Sequence, residues 1–91
     1  MPSFYVYIIE CIDKKRRKSY YTGYTNNLKK RFQLHTQGKG AKYTKGKDLT
    51  LIYSEIYPSR SEAVLRELEI KKLTKKQKKE LIQQGELNNP A

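Results

Sequence analysis

Residues 3–12, SFYVYIIECI, carry the aromatic and β-branched side chains of a strand. Alternation sends Tyr5, Tyr7, Ile9 and Cys11 to one side and Phe4, Val6, Ile8 and Ile12 to the other. A strand on a half-solvated sheet has one polar face. This one has two apolar faces, so it belongs at the centre of a sheet covered on both sides.

The segments that follow supply neighbours and covers. DKKRRKS is a cationic turn, and SYYTGYT reads as a second strand, joined to the first most economically as an antiparallel hairpin. NNLKKRFQLHTQ has helical spacing, with Leu28 and Phe32 one turn apart and Leu34 widening the stripe. Thr25 or Asn26 can cap it, and Gly38 and Gly40 end it. GKGAKYTKGKD, with three glycines and four lysines, reads as a flexible basic loop. Residues 49–57, LTLIYSEIY, alternate as a third strand that Pro58 stops. Ser59 or Ser61 then caps SEAVLRELEIKKL, and Glu62 stands three residues after Ser59 as a capping box requires. TKKQKKELIQQGEL continues as a basic helix, kinked at Thr74 and ended by Gly85. The order β, β, α, β, α, α predicts an α/β (α+β) fold, a small three-stranded antiparallel sheet flanked by helices. Residues 1–91 form one domain, with its core at about 4–82 and a frayed tail at 86–91.

Lys and Arg number 20 against 9 acids, a net charge of +11 on 91 residues. Solubility needs far less, so a polyanion is the expected partner. Nucleic acid suits the spread of cations better than a membrane, since no apolar run approaches the roughly 18 residues of a spanning helix. MPSFYVYIIECID lacks the features of a signal peptide, which points to the cytoplasm. A single cysteine, Cys11, excludes an internal disulfide, and with one histidine it cannot build a Cys/His zinc cage. In its apolar strand pattern Cys11 reads as a core residue.

YVYII at 5–9, YTG at 21–23, NLKKRFQLH at 27–35 and a glutamate on a later helix together resemble the GIY-YIG nuclease superfamily. The likeness is greatest to its small, single-domain, YhbQ-like bacterial branch and covers about residues 4–82, with GKGAKYT and IKKLTKKQK as features of that branch. Each motif is short, and the specificity lies in their order and spacing.

The resemblance implies that Tyr7 and Tyr21 are the motif tyrosines, with Gly23 completing the second motif. It further implies that Arg31 is the helix arginine, His35 the histidine found in part of the superfamily, and Glu67 the metal-binding glutamate. The implied activity is metal-dependent endonuclease cleavage of DNA phosphodiesters with one Mg²⁺ or Mn²⁺, in repair, recombination or processing. The side chains suit that chemistry. One carboxylate is adequate for Mg²⁺, which keeps waters and takes phosphate oxygens, and a planar guanidinium matches a charged phosphoryl group better than an ammonium does. The base is Tyr7, Tyr21 or His35. A free tyrosine titrates near about 10, so Tyr7 or Tyr21 serves only if cations and the metal favour its phenolate or relay its proton; His35, near about 6.5 when unperturbed, is the alternative base or the group that activates a tyrosine.

Arg31 and His35, at i and i+4, share a helix face at the edge of the Leu28/Phe32 stripe. Glu67 shares a face with Ala63, Val64 and Ile70, whereas Glu69 lies nearer Arg66 and Leu73, so Glu67 is the carboxylate expected to face the sheet. Gly23 permits a bend or bulge and lets phosphate approach the backbone. Lys39, Lys42, Lys45 and Lys47, interleaved with glycines and Tyr43, suit a clamp on phosphate with one base-stacking aromatic.

Tyr5 replaces the first motif's glycine, Thr22 the middle residue of the second, and DKKRRK lengthens the hairpin; no downstream asparagine matches the family's. These departures keep the Tyr, Arg and Glu positions and leave substrate choice open; the expected protein is a nuclease of low sequence specificity, because 91 residues carry no separate recognition module, with targeting supplied by a partner protein. The alternative is a noncatalytic module binding DNA, RNA or ribosomes on the same fold.

Overall fold

A computed structural model describes residues 3–88. Strand β1 (Phe4–Ile12) lies between β2 (Lys18–Thr25) and β3 (Asp48–Tyr57) and is antiparallel to both. Helix α1 is Leu28–Thr36, α2 is Arg60–Lys71 and α3 is Lys75–Asn88, so the sheet is central, antiparallel and flanked by helices as expected.

The two-faced pattern of β1 is realised literally. Val6 and Ile8 are fully buried with Ala63 and Ile70 of α2 and Ile82 of α3. On the other face Tyr7, Ile9 and Cys11 are buried with Leu28 and Phe32 of α1 packed against them. Each fully buried Ile or Val contributes about 1.5–3 kcal/mol, which makes β1 the main apolar anchor of both layers. Leu34 is half-buried and joins neither cluster; the residue of α1 that is buried is His35.

Strand β3 changes phase midway. Ile8 pairs with Tyr53 but Ile9 with Leu51, so Ile52 is an extra residue in the ladder. Leu49 and Leu51 consequently pack with Tyr7, Ile9 and Cys11, while Tyr53 and Tyr57 pack with Val6 and Ile8. The bulge lets residues of one parity serve both layers.

Helix ends differ in detail from expectation. Asn27, one residue beyond the expected cap, accepts from Lys30 N at 3.1 Å, and Thr25 Oγ1 accepts from Asn27 N at 3.1 Å to shape the entry. Ser59 accepts from Glu62 N at 3.3 Å and donates to Glu62 Oε2 at 2.8 Å, so the expected cap of α2 forms. Thr74 starts a separate helix instead of kinking one. Its Oγ1 accepts from Gln77 N at 3.1 Å while its N–H donates to Gln77 Oε1 at 2.9 Å, a reciprocal box read directly from TKKQ.

Gly85 does not end α3, which runs to Asn88. A Cβ at Gly85 would lie 2.6 Å from Cε1 of Tyr53, so this glycine lets the helix approach the sheet closely. Of the tail expected at 86–91, residues 86–88 lie within α3 and residues 89–91 lie outside the described residues.

Behind these layers, Glu55 of β3 accepts from Arg66 Nε at 2.8 Å, from Arg66 Nη2 at 3.1 Å, from Tyr57 Oη at 2.6 Å and from Tyr53 Oη. Burial pushes the Glu55 carboxyl up, but the hydrogen bonds from Arg66 and the two tyrosines outweigh it and leave it below its ordinary value. Burial and the bond to Glu55 push both tyrosines up to about 12. The sequence reading did not find this clasp between β3 and α2.

Candidate active site

Tyr7 leans across the outer strand β2. It pairs with Gly23, and a Cβ there would lie 2.5 Å from Tyr7 Oη. Gly23 is buried in a regular ladder, with the Tyr7 phenol filling its side-chain space. The ladder runs through Gly23 without the expected bend or bulge, and the glycine makes room for Tyr7.

The Tyr7 hydroxyl lies 2.9 Å from His35 Nε2, and His35 Nδ1 lies 2.9 Å from Thr44 Oγ1. All three residues are almost fully buried. Thr44 gives its own proton to the Ala41 carbonyl at 3.1 Å, so toward His35 it can only accept. Burial, and then the nearby Arg31 charge, lower the His35 pKa and favour the neutral ring. The network therefore assigns the proton to Nδ1 and leaves the Nε2 lone pair for the Tyr7 hydroxyl. His35 was expected at the edge of the core; it is inside it, held at both nitrogens.

Arg31, one turn before His35, sends Nη2 to the Gly40 carbonyl at 3.1 Å, while its buried Nε has no partner. Burial raises the Tyr7 pKa, and the bond and charge of Arg31 partly offset it. The charges of Tyr21 and Glu67 act on the same hydroxyl in the raising direction.

Glu67 reaches this neighbourhood from α2, which packs on β1 and β2 from the other face of the sheet. Its side chain is 13% exposed and pairs with Lys71 at 3.6 Å. Among the described residues no three His, Cys, Asp or Glu side chains gather as a ligand set. A lone carboxylate suits Mg²⁺ or Mn²⁺ completed by water and phosphate oxygens, and it does not suit an all-protein zinc cage.

Tyr21 lies edge-on to His35, with centroids 5.2 Å apart, and stacks on Tyr43 at 6.1 Å and 23°. Lys47 Nζ sits 3.5 Å from the centroid of Tyr43. Tyr43 thus contacts both Tyr21 and Lys47 and remains exposed. Lys39, Lys42 and Lys45 are exposed. The loop expected to be flexible is pinned by buried Thr44, by Arg31 on Gly40 and by Lys39 N on the Leu34 carbonyl at 2.8 Å. Thr44 is the site residue that sequence reasoning missed; the only trace of it was a hydroxyl inside a loop read for its lysines.

Tyr7, Tyr21 and His35 meet ring to ring, Arg31 acts on the Tyr7 hydroxyl through a bond and its charge, and Glu67 acts electrostatically on Tyr7. With this geometry in hand, the sequence profile described as GIY-YIG catalytic domain matches residues 3–80. A UPF0213 protein of Staphylococcus haemolyticus is 46% identical over 85 residues, covering 92% of this chain and 99% of the relative. A second UPF0213 protein, from Clostridium perfringens, is 51% identical over 79 residues, covering 86% and 81% of the two chains. The solution NMR structure of a UPF0213 protein from Bacillus halodurans superposes with a TM-score of 0.52 at 39% identity, covering 89% of this chain and 83% of that one.

Proposed function

The chain belongs to the GIY-YIG family, and from that premise we propose that it is a metal-dependent endonuclease that hydrolyses DNA phosphodiesters with low sequence specificity. The observation that carries this reading is the buried chain from Tyr7 through His35 to Thr44, set beside the unpartnered Arg31 Nε. A tyrosine hydroxyl whose proton already points at a neutral, tautomer-fixed imidazole is prepared to become a base.

A phosphate entering the site draws Arg31 outward and uncovers the Tyr7 hydroxyl. Water gives a proton to Tyr7 Oη as Tyr7 passes its own to His35 Nε2, and the water oxygen forms the new bond to phosphorus. The bond from phosphorus to the leaving oxygen breaks on the opposite side, and the departing alkoxide takes its proton from solvent water. Arg31 holds the non-bridging oxygens, where negative charge concentrates. Glu67 would hold one Mg²⁺ or Mn²⁺, which when bound supplies charge neutralisation at the phosphoryl and leaving oxygens. The protein works in the cytoplasm on nucleic acid, and no described helix is long and apolar enough to cross a membrane.

A noncatalytic binding module is the second reading, favoured by Lys71 on the Glu67 carboxylate. Labelled single-stranded, duplex, nicked and branched DNA, with and without Mg²⁺ or Mn²⁺, separates the two. Cutting that needs the cation and is lost in Glu67→Ala and Tyr7→Phe supports the nuclease. Salt-sensitive binding with no cutting of any substrate establishes the module instead.

A further inference from the structure

The turn between β1 and β2 and the end of the 39–47 loop form an open cleft of about 370 Å³ lined by Asp13, Lys14, Lys15, Arg17, Lys45 and Lys47. Cations from two segments some thirty residues apart in sequence face one hollow. Self-repulsion makes such a gathering unfavourable unless a polyanion relieves it.

The turn is built rather than loose. Asp13 Oδ1 accepts from Lys15 N and from Arg17 N, each at 2.9 Å, and Asp13 Oδ2 accepts from Arg17 Nε at 2.8 Å. Asp13 N donates to the Arg17 carbonyl at 3.1 Å, and Arg16 holds a left-handed φ of 67°. Asp13 thereby fixes the shape of the turn and neutralises Arg17, while Lys14 and Lys15 remain exposed without an acidic partner among the described residues.

The cleft also joins the candidate active site. Lys47, one of its walls, lies over Tyr43; Tyr43 stacks on Tyr21; and Tyr21 meets His35. From these contacts we infer that the cleft is a second subsite for the nucleic-acid backbone, in which Lys14, Lys15 and Lys45 hold phosphates of the strand whose scissile phosphate lies at Arg31. The inference rests on the nuclease reading for its direction. The grip itself is independent of cleavage. The lengthened DKKRRK hairpin then has a task of its own, gripping a strand of any sequence through its phosphates.

The test is binding of a short fluorescein-labelled DNA duplex by anisotropy, with chelator and no divalent cation, between roughly 50 and 200 mM salt. Removing two phosphate contacts in Lys14→Ala/Lys15→Ala is expected to make the plot of log K against log salt shallower by about 1.8. Lys76→Ala/Lys79→Ala removes the same charge from α3, which packs on the other layer of the sheet and does not line the cleft, and is expected to leave the slope near that of the parent. An unchanged slope in the turn variant, or equal flattening in both variants, overturns the subsite. Binding with the expected slopes but no cutting of single-stranded, duplex, nicked or branched DNA when cation is restored overturns the nuclease and leaves the subsite standing.

Discussion

Thr44 Oγ1 stands 2.9 Å from Nδ1 of His35 and gives its own proton to the Ala41 carbonyl, so a loop hydroxyl decides which imidazole nitrogen is free. The consequence is directional. His35 can receive a proton from Tyr7 only in that tautomer. Thr44→Val keeps the shape and removes the acceptor, and it should lower the cleavage rate by about 10- to 100-fold, the kinetic equivalent of about 1–3 kcal/mol for an unsatisfied buried N–H. Thr44→Ser should restore most of it. Single-turnover cleavage at saturating protein reads both.

The pH profile should carry the mark of His35. Its pKa is lowered by burial and by Arg31, so the neutral ring persists below the ordinary value of about 6.5. Cleavage should hold through pH 6.5 and fall only on further acidification, as Nε2 becomes protonated. Stability has the same sign: between the lowered folded value and about 6.5 the unfolded chain binds the extra proton, so stability is lost as pH falls through that window. An acid limb centred above 6.5 would remove His35 as the proton acceptor.

Gly23→Ala tests whether Tyr7 needs the space over β2. The added methyl would lie 2.5 Å from Tyr7 Oη and must push the phenol off His35. Overpacking of this kind costs about 1–3 kcal/mol, visible in urea melts, and cleavage should fall further than stability does. Retained activity with an unshifted Tyr7 pKa would dissociate Gly23 from the site.

Arg31→Lys preserves charge but not the planar fork, and it leaves no Nε to occupy the unpartnered buried position. The expected result is roughly a hundredfold loss in kcat, with substrate affinity changed far less. A loss confined to KM would assign Arg31 to binding alone.

Away from the site, Arg66→Ala strips two donors from Glu55 and leaves its carboxylate largely buried with only the tyrosines. Denaturant unfolding should show a loss of about 2–4 kcal/mol at neutral pH. Because the folded pKa of Glu55 lies below its ordinary value of 4.5, the stability that this depression contributes is present above that value and disappears as pH falls through the folded pKa. The difference between parent and variant should narrow accordingly in acid.

Much of the fold was legible because it is written in local alternation. The double apolar face of β1 specified a central strand, and Ser59 with Glu62 announced the start of α2. Local rules failed where a distant partner decided the outcome. Gly85 has the look of a helix stop, but the ring of Tyr53 explains it; Thr44 acquires meaning only beside His35, and Glu55 only beside Arg66. Thr74 is different, since TKKQ carried the signal of a new helix in full view. The resemblance put Tyr7, Tyr21, Arg31, His35 and Glu67 in one site, and the contact among Tyr7, Tyr21 and His35 agrees with it. The inward burial of His35 did not, because helical periodicity in α1 treats a histidine as polar.

The extra residue at Ile52 gives β3 a property that no single contact reveals. The strand is two half-strands in antiphase, spliced where Ile8 gives way to Ile9. Removing Ile52 itself would join Leu51 directly to Tyr53, and ordinary alternation would still send these neighbours to opposite faces, so both halves would keep their layers in a regular ladder; removing a residue elsewhere in β3 would turn part of the strand over. The bulge is thus the place where β3 can lose a residue and keep both layers of the protein as they are.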